Sequence, residues 1–395
     1  MPTNVLIAGG GPAALEAALR LHRVAAGHVT TTLLAPEGDF VYRPLSVLDP
    51  FAIGGATAYP LSRIALDAGF THKPGILTSV DPAAHVATTG GGEQVPYDVL
   101  LVAAGAVQTR PFEWATVFGG NESDVEALHG LVQDVEGGYT HRVAFVVPEG
   151  ASWPLPLYEL ALMMAERAYE MNASVEIHVV TPEETPLAAF GDEPSRQVAK
   201  LLKDARVVVH TGTRAERLER GRLRLSPGGE VVEVRRVVTL PRLVGRRFPG
   251  LPTDGDGFLV TDGHGRVTGV PDVYAAGDIT AFPVKQGGLA CQQADAAADQ
   301  IAARAGAKLD PQPFQPVIHG VLMTERSSSF MRSEPGHESR VAGHPLWWPP
   351  TKIAGRELAG YLEGVDEAEG RVRGVPVDLK VSGSGTDEIE VLSLH

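Results

Sequence analysis

The N-terminal segment alternates between apolar and polar positions in a way that predicts a strand, a turn and a helix. Residues Val5 to Ala8 form a short apolar run, and Gly9 to Pro12 follow it directly. From Pro12 to about Val24 the small and apolar residues recur at helical spacing, which predicts a helix. A second apolar run at Val29 to Ala35 predicts the next strand, so the chain should begin with a βαβ unit.

A second unit of the same kind is predicted in the middle of the chain. Its apolar runs predict strands at Val143 to Val147, Val175 to Val180 and Val207 to Thr211. The segments between them predict helices at Pro156 to Met171 and Arg196 to Lys203. The chain therefore carries a diverged internal repeat of a nucleotide-binding-like unit.

The remaining segments complete the predicted outline. Arginine alternates with glutamate from Arg214 to Arg247, which favours a solvated β-meander over a basic binding patch. Further predicted elements are a strand at Asp272 to Ile279, a helix at Gly287 to Arg304, strands around Gly320 and Val375, and a helix near Glu357.

The predicted fold class is α/β, with two Rossmann-like dinucleotide-binding domains and a smaller C-terminal α+β domain. We expect the first domain to be split by the second. The predicted boundaries are 1–110 and 236–315 for the two parts of the first domain, 111–235 for the inserted domain and 316–395 for the C-terminal domain.

Composition narrows the class of protein. The 395 residues carry a formal net charge of −14, which disfavours binding to nucleic acid or to anionic lipid. Because no run of about 18 apolar residues occurs, and because the N-terminus lacks a basic signal-peptide region, we expect a cytoplasmic protein without a transmembrane segment. The single cysteine, Cys291, excludes an internal disulfide. The histidines show no close metal-ligand spacing, so no metal site is predicted.

The first turn carries a dinucleotide-binding pattern, Gly9-x-Gly11-x-x-Ala14, with Pro12 and Ala13 between the last two positions. In such a turn the glycines permit a tight bend and close approach to a diphosphate, and the helix N-terminus offers free N–H groups. The alternative interpretation is a structural turn with no ligand. An acidic residue is expected about 20 residues on, at the ribose. Glu37 is the candidate, and a surface glutamate is the alternative.

Two later segments connect this turn with FAD. The segment DVYAAGD at 272–278 resembles the second FAD fingerprint of flavoproteins with two dinucleotide-binding domains, and YDVLLVAAGA at 97–106 resembles their middle fingerprint. The resemblance implies that Asp278, beside Gly277, contacts the ribityl chain of FAD. It also places Ala104 and Gly105 at the cofactor.

Three longer segments resemble the branch that holds sulfide:quinone oxidoreductases, flavocytochrome c sulfide dehydrogenases and type II NADH dehydrogenases. They are GDFVYRPLSVLDPFAIGG (38–55), EGASWPLPLYELA (149–161) and PVKQGGLACQQADAAADQIA (283–302). The resemblance implies that Pro44 lies beside the flavin ring and Lys285 near its pyrimidine end. It implies cofactor contacts for Arg43 and Gly287, and a quinone side flanked by the helix with Gln292 and Gln293.

The chain departs from this branch at the position of a catalytic cysteine. Trp153 stands where sulfide-oxidising members carry a thiol, and Cys291 lies among small residues typical of a packed helix. Cysteine-based sulfide oxidation is therefore not expected, because that chemistry requires a thiolate beside the flavin.

The second departure concerns NAD(P)H. The turn after Val147 keeps one glycine, and Glu149 places a carboxylate where a diphosphate needs N–H groups. This weakens the case for NAD(P)H without excluding it. Glu159 matches the family's glutamate near the nicotinamide, with a helix-face carboxylate as the alternative. The predicted catalytic candidates are Lys285, Glu159 and Trp153.

Three functions remain open from sequence. The first is an FAD-dependent oxidoreductase that transfers electrons from a small-molecule donor to an acceptor, such as a quinone-like compound. The second is an NAD(P)H-dependent flavin reductase or dehydrogenase. The third is a catalytically silent flavin-binding module for interaction or sensing. Trp347 and Trp348 could line the flavin pocket or fill a domain interface, and a homodimer is left open.

Overall fold

A computed structural model of the protein describes residues 1–371. These residues build two five-stranded parallel sheets, and a smaller antiparallel sheet follows them along the chain. This confirms the predicted α/β class with two Rossmann-like units. The predicted strand around Val375 lies outside the described residues. The helices of the described region are α1 (Pro12–Val24), α2 (Leu61–Ala68), α3 (Glu122–Glu136), α4 (Leu155–Glu170), α5 (Asp192–Asp204), α6 (Gly287–Arg304) and α7 (Leu358–Ala368).

The first parallel sheet joins distant parts of the chain. Its strands, in spatial order, are Val273–Ala275, Val99–Val102, Thr3–Ala8, Val29–Ala35 and Thr71–Pro74. All neighbouring pairs are parallel. Helices α1 and α6 pack against each other beside this sheet, with small residues such as Ala17 and Ala294 buried at the contact. Because the strand order reverses at Thr3–Ala8, a crevice opens at the carboxyl ends of the strands.

The second parallel sheet has the same plan. Its strands are, in spatial order, Thr116–Val117, Arg236–Thr239, Arg142–Val146, Glu176–Val180 and Val208–His210. Since Arg236–Thr239 pairs with Arg142–Val146 in parallel, that strand belongs to the second unit. We therefore propose a boundary after Thr239 instead of after residue 235. Helix α4 is buried over most of its length, and α3 packs beside it.

The remaining strands form antiparallel pairs and meanders. The predicted arginine-rich meander forms a three-stranded sheet, followed by the strand that joins the second parallel sheet. The C-terminal part contains a three-stranded sheet, although the sequence analysis predicted only the strand around Gly320 within the described residues. The antiparallel strands are Asp39–Tyr42 with Thr57–Pro60; Leu77–Asp81, Val86–Thr89 and Gln94–Pro96; Val107–Thr109 with Arg242–Val244; Arg214–Glu219, Arg222–Ser226 and Val231–Glu233; and Ile318–Met323, Ser328–Ser333 and Arg340–Ala342.

None of the helices in residues 1–371 combines the length and apolar character needed to span a lipid bilayer.

Candidate cofactor-binding cleft

A cleft of about 540 Å³ lies at the carboxyl ends of the first sheet. The residues that directly follow its strands line the cleft, because neighbouring parallel strands end at the same edge. The volume falls within the range of small-molecule and cofactor sites, about 300–1,000 Å³. The cleft brings together the following predicted cofactor residues: Gly9, Gly11, Pro12, Ala13, Glu37, Arg43, Pro44, Ala104, Gly105, Gly277, Asp278, Lys285 and Gly287.

The glycine turn approaches the neighbouring strand so closely that its first position excludes a side chain. Gly9 has φ +136°, and a Cβ atom there would lie 2.1 Å from the carbonyl oxygen of Ala103. A Cβ atom at Gly11 would instead have no other heavy atom within 4 Å, so that position faces open space. Helix α1 begins at Pro12 and has no acidic residue in its first turn. The turn therefore offers free N–H groups and a positive helix end to the cleft.

The predicted ribose residue and the third small residue occupy different environments. Glu37 is exposed and lines the cleft, with its Oε2 atom 3.3 Å from the Cβ position of Gly10. Ala14 is fully buried and lies outside the cleft lining. This fits a packing role for the third small residue, where the helix meets the sheet.

Asp278 and Lys285 both line the cleft, and the charge of each influences the pKa of the other. Burial raises the pKa of Asp278, and nearby Lys285 partly offsets this rise. Burial lowers the pKa of Lys285 to about 8, opposed by Asp278 and Asp254. The Lys285 ammonium donates a hydrogen bond to the Thr280 carbonyl and lies 3.9 Å from the centre of the Phe258 ring. The lysine is therefore held in place on the cleft wall.

Two glutamines of α6 have structural partners in this region. The Gln293 side chain accepts a hydrogen bond of 2.7 Å from the Gly277 N–H, which fixes the backbone before Asp278. The Gln292 amide exchanges hydrogen bonds with the backbone of Val317. The face of α6 that lines the cleft is formed by Gly287 and Ala290.

The cleft also contains residues that no motif in the sequence predicts. Arg246 lines it, and its Nε atom is buried without a hydrogen-bond partner among the described residues. The arginine-rich segment around it was interpreted as solvated, so no sequence signal distinguished this arginine. Ile353 also reaches the cleft, although it lies 63 residues after Ala290, the nearest other lining residue along the chain.

Trp153 lies in the lining of the cleft, on the segment that precedes α4. Its ring centre is 5.5 Å from that of Phe190, at a tilted angle. The second unit thus contributes an aromatic side chain to the wall of the cleft.

Glu159 lies outside the cleft lining and is not a solvated helix-face carboxylate. It is fully buried and forms an ion pair with Lys352, with Nζ to Oε1 at 2.5 Å. The same oxygen accepts a hydrogen bond of 2.8 Å from the Met323 N–H. Burial raises the pKa of Glu159, and Lys352 opposes the rise. These contacts connect α4 to the C-terminal part.

Cys291 is buried inside α6 and absent from the cleft lining. Burial raises the pKa of its thiol far above the usual value, and the neighbouring Glu16 carboxylate adds to the effect. The Sγ atom lies 3.9 Å from the Pro12 carbonyl oxygen. A thiol in this environment is not a nucleophile, because the reactive form is the thiolate.

The turn of the second unit is organised by its own side chains. Glu149 is exposed and lies 3.4 Å from Arg214. Glu183 follows the strand Glu176–Val180, where an acidic residue can bind a ribose. Its carboxylate instead accepts hydrogen bonds from the Tyr158 hydroxyl at 2.7 Å, from Thr181 Oγ1 at 3.1 Å and from the Ala188 N–H at 3.1 Å.

The two adjacent tryptophans lie away from this cleft. The Trp347 ring is 5.3 Å from that of Phe330, and its Nε1–H donates to the Thr351 carbonyl at 3.1 Å. Trp348 is 73% exposed. Trp347 is therefore a packing residue, and neither tryptophan is a wall of the cofactor cleft.

Comparison with known proteins places this architecture in a family. The sequence is 28% identical over 300 residues to an NADH dehydrogenase-like protein of Mycobacterium tuberculosis, which covers 71% of this chain and 73% of that protein. The fold is similar to the sulfide:quinone oxidoreductase of Aquifex aeolicus, with a TM-score of 0.76, 16% identity and coverage of 93% and 90%. It is also similar to a NAD-dependent persulfide reductase from A. fulgidus, with a TM-score of 0.60, 18% identity and coverage of 85% and 65%. The model of the pyridine nucleotide-disulphide oxidoreductase family matches residues 3–300, so the chain belongs to that family of oxidoreductases.

Proposed function

We propose that this protein is an FAD-dependent oxidoreductase of the sulfide:quinone oxidoreductase, flavocytochrome c and type II NADH dehydrogenase branch. It takes electrons from a small-molecule donor other than NAD(P)H and passes them to an acceptor of quinone-like chemistry. The observation that carries the proposal is one continuous cleft that contains the glycine turn, Asp278 and Lys285. The bound flavin would supply the redox chemistry, and the protein would supply orientation and electrostatics.

The residues of the cleft fit the parts of an extended FAD in order. The uncapped N-terminus of α1 suits the diphosphate, and Glu37 suits the adenosine ribose. No hydrogen bond from the described residues reaches the Asp278 side chain, which leaves its oxygens available for the ribityl hydroxyls. The buried, unpartnered Nε of Arg246 also favours a polar ligand in the cleft.

Lys285 suits the pyrimidine end of the flavin, where a positive charge favours electron uptake. We assign Trp153 to the wall that contacts the donor or acceptor, because it lines the cleft from the second unit. Cysteine-based sulfide oxidation does not fit, since Cys291 is the only cysteine and its thiol is buried outside the cleft.

An NAD(P)H-dependent activity is the second candidate, because the similar mycobacterial protein is named NADH dehydrogenase-like. The geometry of the second unit opposes it. The Glu183 oxygens are engaged by three donors of the protein, so they are less available to a ribose. The Glu149 carboxylate would repel a diphosphate at this turn.

Anaerobic mixing distinguishes the two candidates. The purified protein should be yellow, and NADH or NADPH should bleach its absorbance at about 450 nm only slowly. Dithionite serves as the positive control, and a soluble quinone should then reoxidise the reduced protein. Rapid bleaching by either nicotinamide would establish the second candidate. A colourless protein that takes up no added FAD would refute both.

A further inference from the structure

A second cavity lies on the other face of α6. Its volume is about 590 Å³. Helix α6 contributes Gly287 and Ala290 to the cofactor cleft, whereas its residues Gln292, Asp295 and Asp299 line this second cavity. The segment 312–317, the C-terminal sheet and the segment that leads into α7 form the other walls. We call it the rear cavity.

Three residues that line the rear cavity each carry a buried polar atom without a partner among the described residues. The atoms are Asp295 Oδ1 on α6, His319 Nδ1 on the strand Ile318–Met323 and Arg332 Nε on the strand Ser328–Ser333. None of the three has a hydrogen-bond partner among the described residues. His319 and Arg332 are directly opposite in the antiparallel register, which brings both to one wall. Because buried polar groups in proteins are nearly always paired, three such atoms in one cavity indicate a polar ligand.

The charge around these atoms favours an anion. Arg332 binds Glu334 through Nη2, which leaves its Nε–H unused, and the exposed Arg356 forms no ion pair within the described residues. Asp299 is already paired with Arg20 at 2.7 Å.

Asp295 and His319 are uncharged near neutral pH. Burial raises the pKa of Asp295 to about 8; Glu16 and Glu357 add to the rise, and Arg356 and Arg20 oppose it. Burial lowers the pKa of His319 to about 4, with Arg332 adding to the effect. Because Asp299 and Arg332 are each in an ion pair, Arg356 is the unpaired charge of the described cavity lining when Asp295 is protonated.

The rim of the cavity provides a flat aromatic surface. Trp348 lines the cavity and is 73% exposed, whereas Trp347 is packed against His319 and Phe330. An exposed indole beside a cationic pocket suits a ligand with a planar ring, because aromatic rings stack in offset geometry.

We propose that the rear cavity binds a planar aromatic carboxylate. Its ring stacks on Trp348, its carboxylate is held by Arg356 and the Arg332 guanidinium, and the Asp295 carboxyl group lies beside it. This site is separate from the cofactor cleft, and the proposal does not depend on the proposed redox function.

Isothermal titration of the purified full-length protein with 2-naphthoate tests the proposal. The neutral isostere 2-naphthamide should bind at least about tenfold more weakly, because it lacks the charge that the arginines recognise. Trp348→Ala and Arg356→Gln should each weaken 2-naphthoate binding by about five- to tenfold. Both residues are exposed, so these variants should fold. The exposed residues Tyr139 and Arg196 provide matched controls, Tyr139→Ala and Arg196→Gln, which should bind as the wild type does.

The pH dependence gives a second readout. Binding of 2-naphthoate to the wild type should weaken as the pH rises from 7 to 9, because Asp295 becomes an anion that repels the carboxylate. Asp295→Asn should keep the binding and lose this pH dependence. The proposal is wrong if 2-naphthoate does not bind at pH 7, if 2-naphthamide binds equally well, or if the two rim variants bind as the wild type does.

Discussion

Lys285 shows how burial changes the charge behaviour of one side chain on the wall of the cleft. It is 8% exposed, lies 3.9 Å from the centre of the Phe258 ring and faces the carboxylates of Asp278 and Asp254. Burial lowers its pKa to about 8, so it is a cation at neutral pH and loses that charge as the pH rises through about 8. Burying a cation on the cleft wall is unfavourable in free energy. A negatively charged group that binds beside it offsets this cost.

Lys285→Met should therefore make the bound flavin harder to reduce. Loss of one charge-assisted interaction corresponds to a midpoint potential lower by about 30–60 mV for a two-electron couple. The measurement is an anaerobic dye-coupled titration at pH 7 and pH 9. The difference in midpoint potential between the wild type and Lys285→Met should be smaller at pH 9 than at pH 7, because the wild-type lysine loses its charge over this range.

A matched control is Lys308→Met, since Lys308 is an exposed lysine outside the cleft. It should leave the potential at the wild-type value. Equal potentials for Lys285→Met and the wild type at pH 7 would show that Lys285 does not act on the flavin.

At the scale of the element, the two glycines of the turn differ in their surroundings, since Gly9 is tightly packed and Gly11 faces open space. Gly9 has φ +136° and is pressed against Ala103, so any side chain there is expected to disrupt the turn itself. Gly11 has φ −87° and ψ −173°, an extended conformation open to any residue, and its Cβ position is free of neighbours. A small side chain at Gly11 would thus be compatible with the fold, but it would occupy the space of the proposed diphosphate.

Gly11→Ala should keep the fold and lose flavin. Circular dichroism and thermal unfolding should resemble those of the wild type, while the dissociation constant for FAD should rise about tenfold or more, since a methyl group blocks close approach to the diphosphate. Gly130→Ala is the control, because Gly130 lies in α3 with no neighbour within 4 Å of its Cβ position. Unchanged FAD affinity in Gly11→Ala would show that the diphosphate does not bind at this turn.

The local pattern predicts some elements to the residue. The bounds of α1 and α6 coincide with those read from sequence, since Pro12 and Gly287 mark clear starts and small apolar residues recur at helical spacing. Helix α3 was missed, although its sequence contains signals. Asn121 caps it by accepting from the Asp124 N–H at 3.0 Å, and its buried leucines and valines recur at helical spacing.

Contacts between distant segments could not be predicted from one sequence. Gly9 and Gly11 were predicted from local spacing and Asp278 from the resemblance of its segment to a family fingerprint, and the structure brings all three to one cleft. The role of Glu159 depends on Lys352, which lies 193 residues later in the sequence. Arg246 enters the cleft from a segment whose composition is typical of a solvated meander. Neither the periodicity nor the motif spacing of the sequence predicts such long-range contacts.

At the scale of the whole molecule, α4 connects the second Rossmann-like unit to the C-terminal sheet through charged side chains. Glu166 accepts a hydrogen bond of 2.8 Å from the Glu325 N–H, and Arg167 lies 2.8 Å from the Glu325 carboxylate. Further inside, Glu159 contacts Lys352 and the Met323 N–H. Because Ile353 follows Lys352 and lines the cofactor cleft, this connection also positions one cleft wall.

Removing one partner of the Glu159–Lys352 pair should destabilise the protein strongly, whereas replacing both residues with apolar ones should destabilise it much less. Glu159→Gln leaves the Lys352 ammonium buried without its counter-ion and should destabilise the protein by about 3–5 kcal/mol. The double variant Glu159→Leu with Lys352→Met buries no charge and should recover most of that loss, although the Met323 N–H then lacks an acceptor. Urea unfolding followed by circular dichroism measures both, with the exposed Glu126→Gln as a control near the wild type. If Glu159→Gln unfolds at the wild-type urea concentration, the pair does not hold the two parts together, and the position of Ile353 must be set by other contacts.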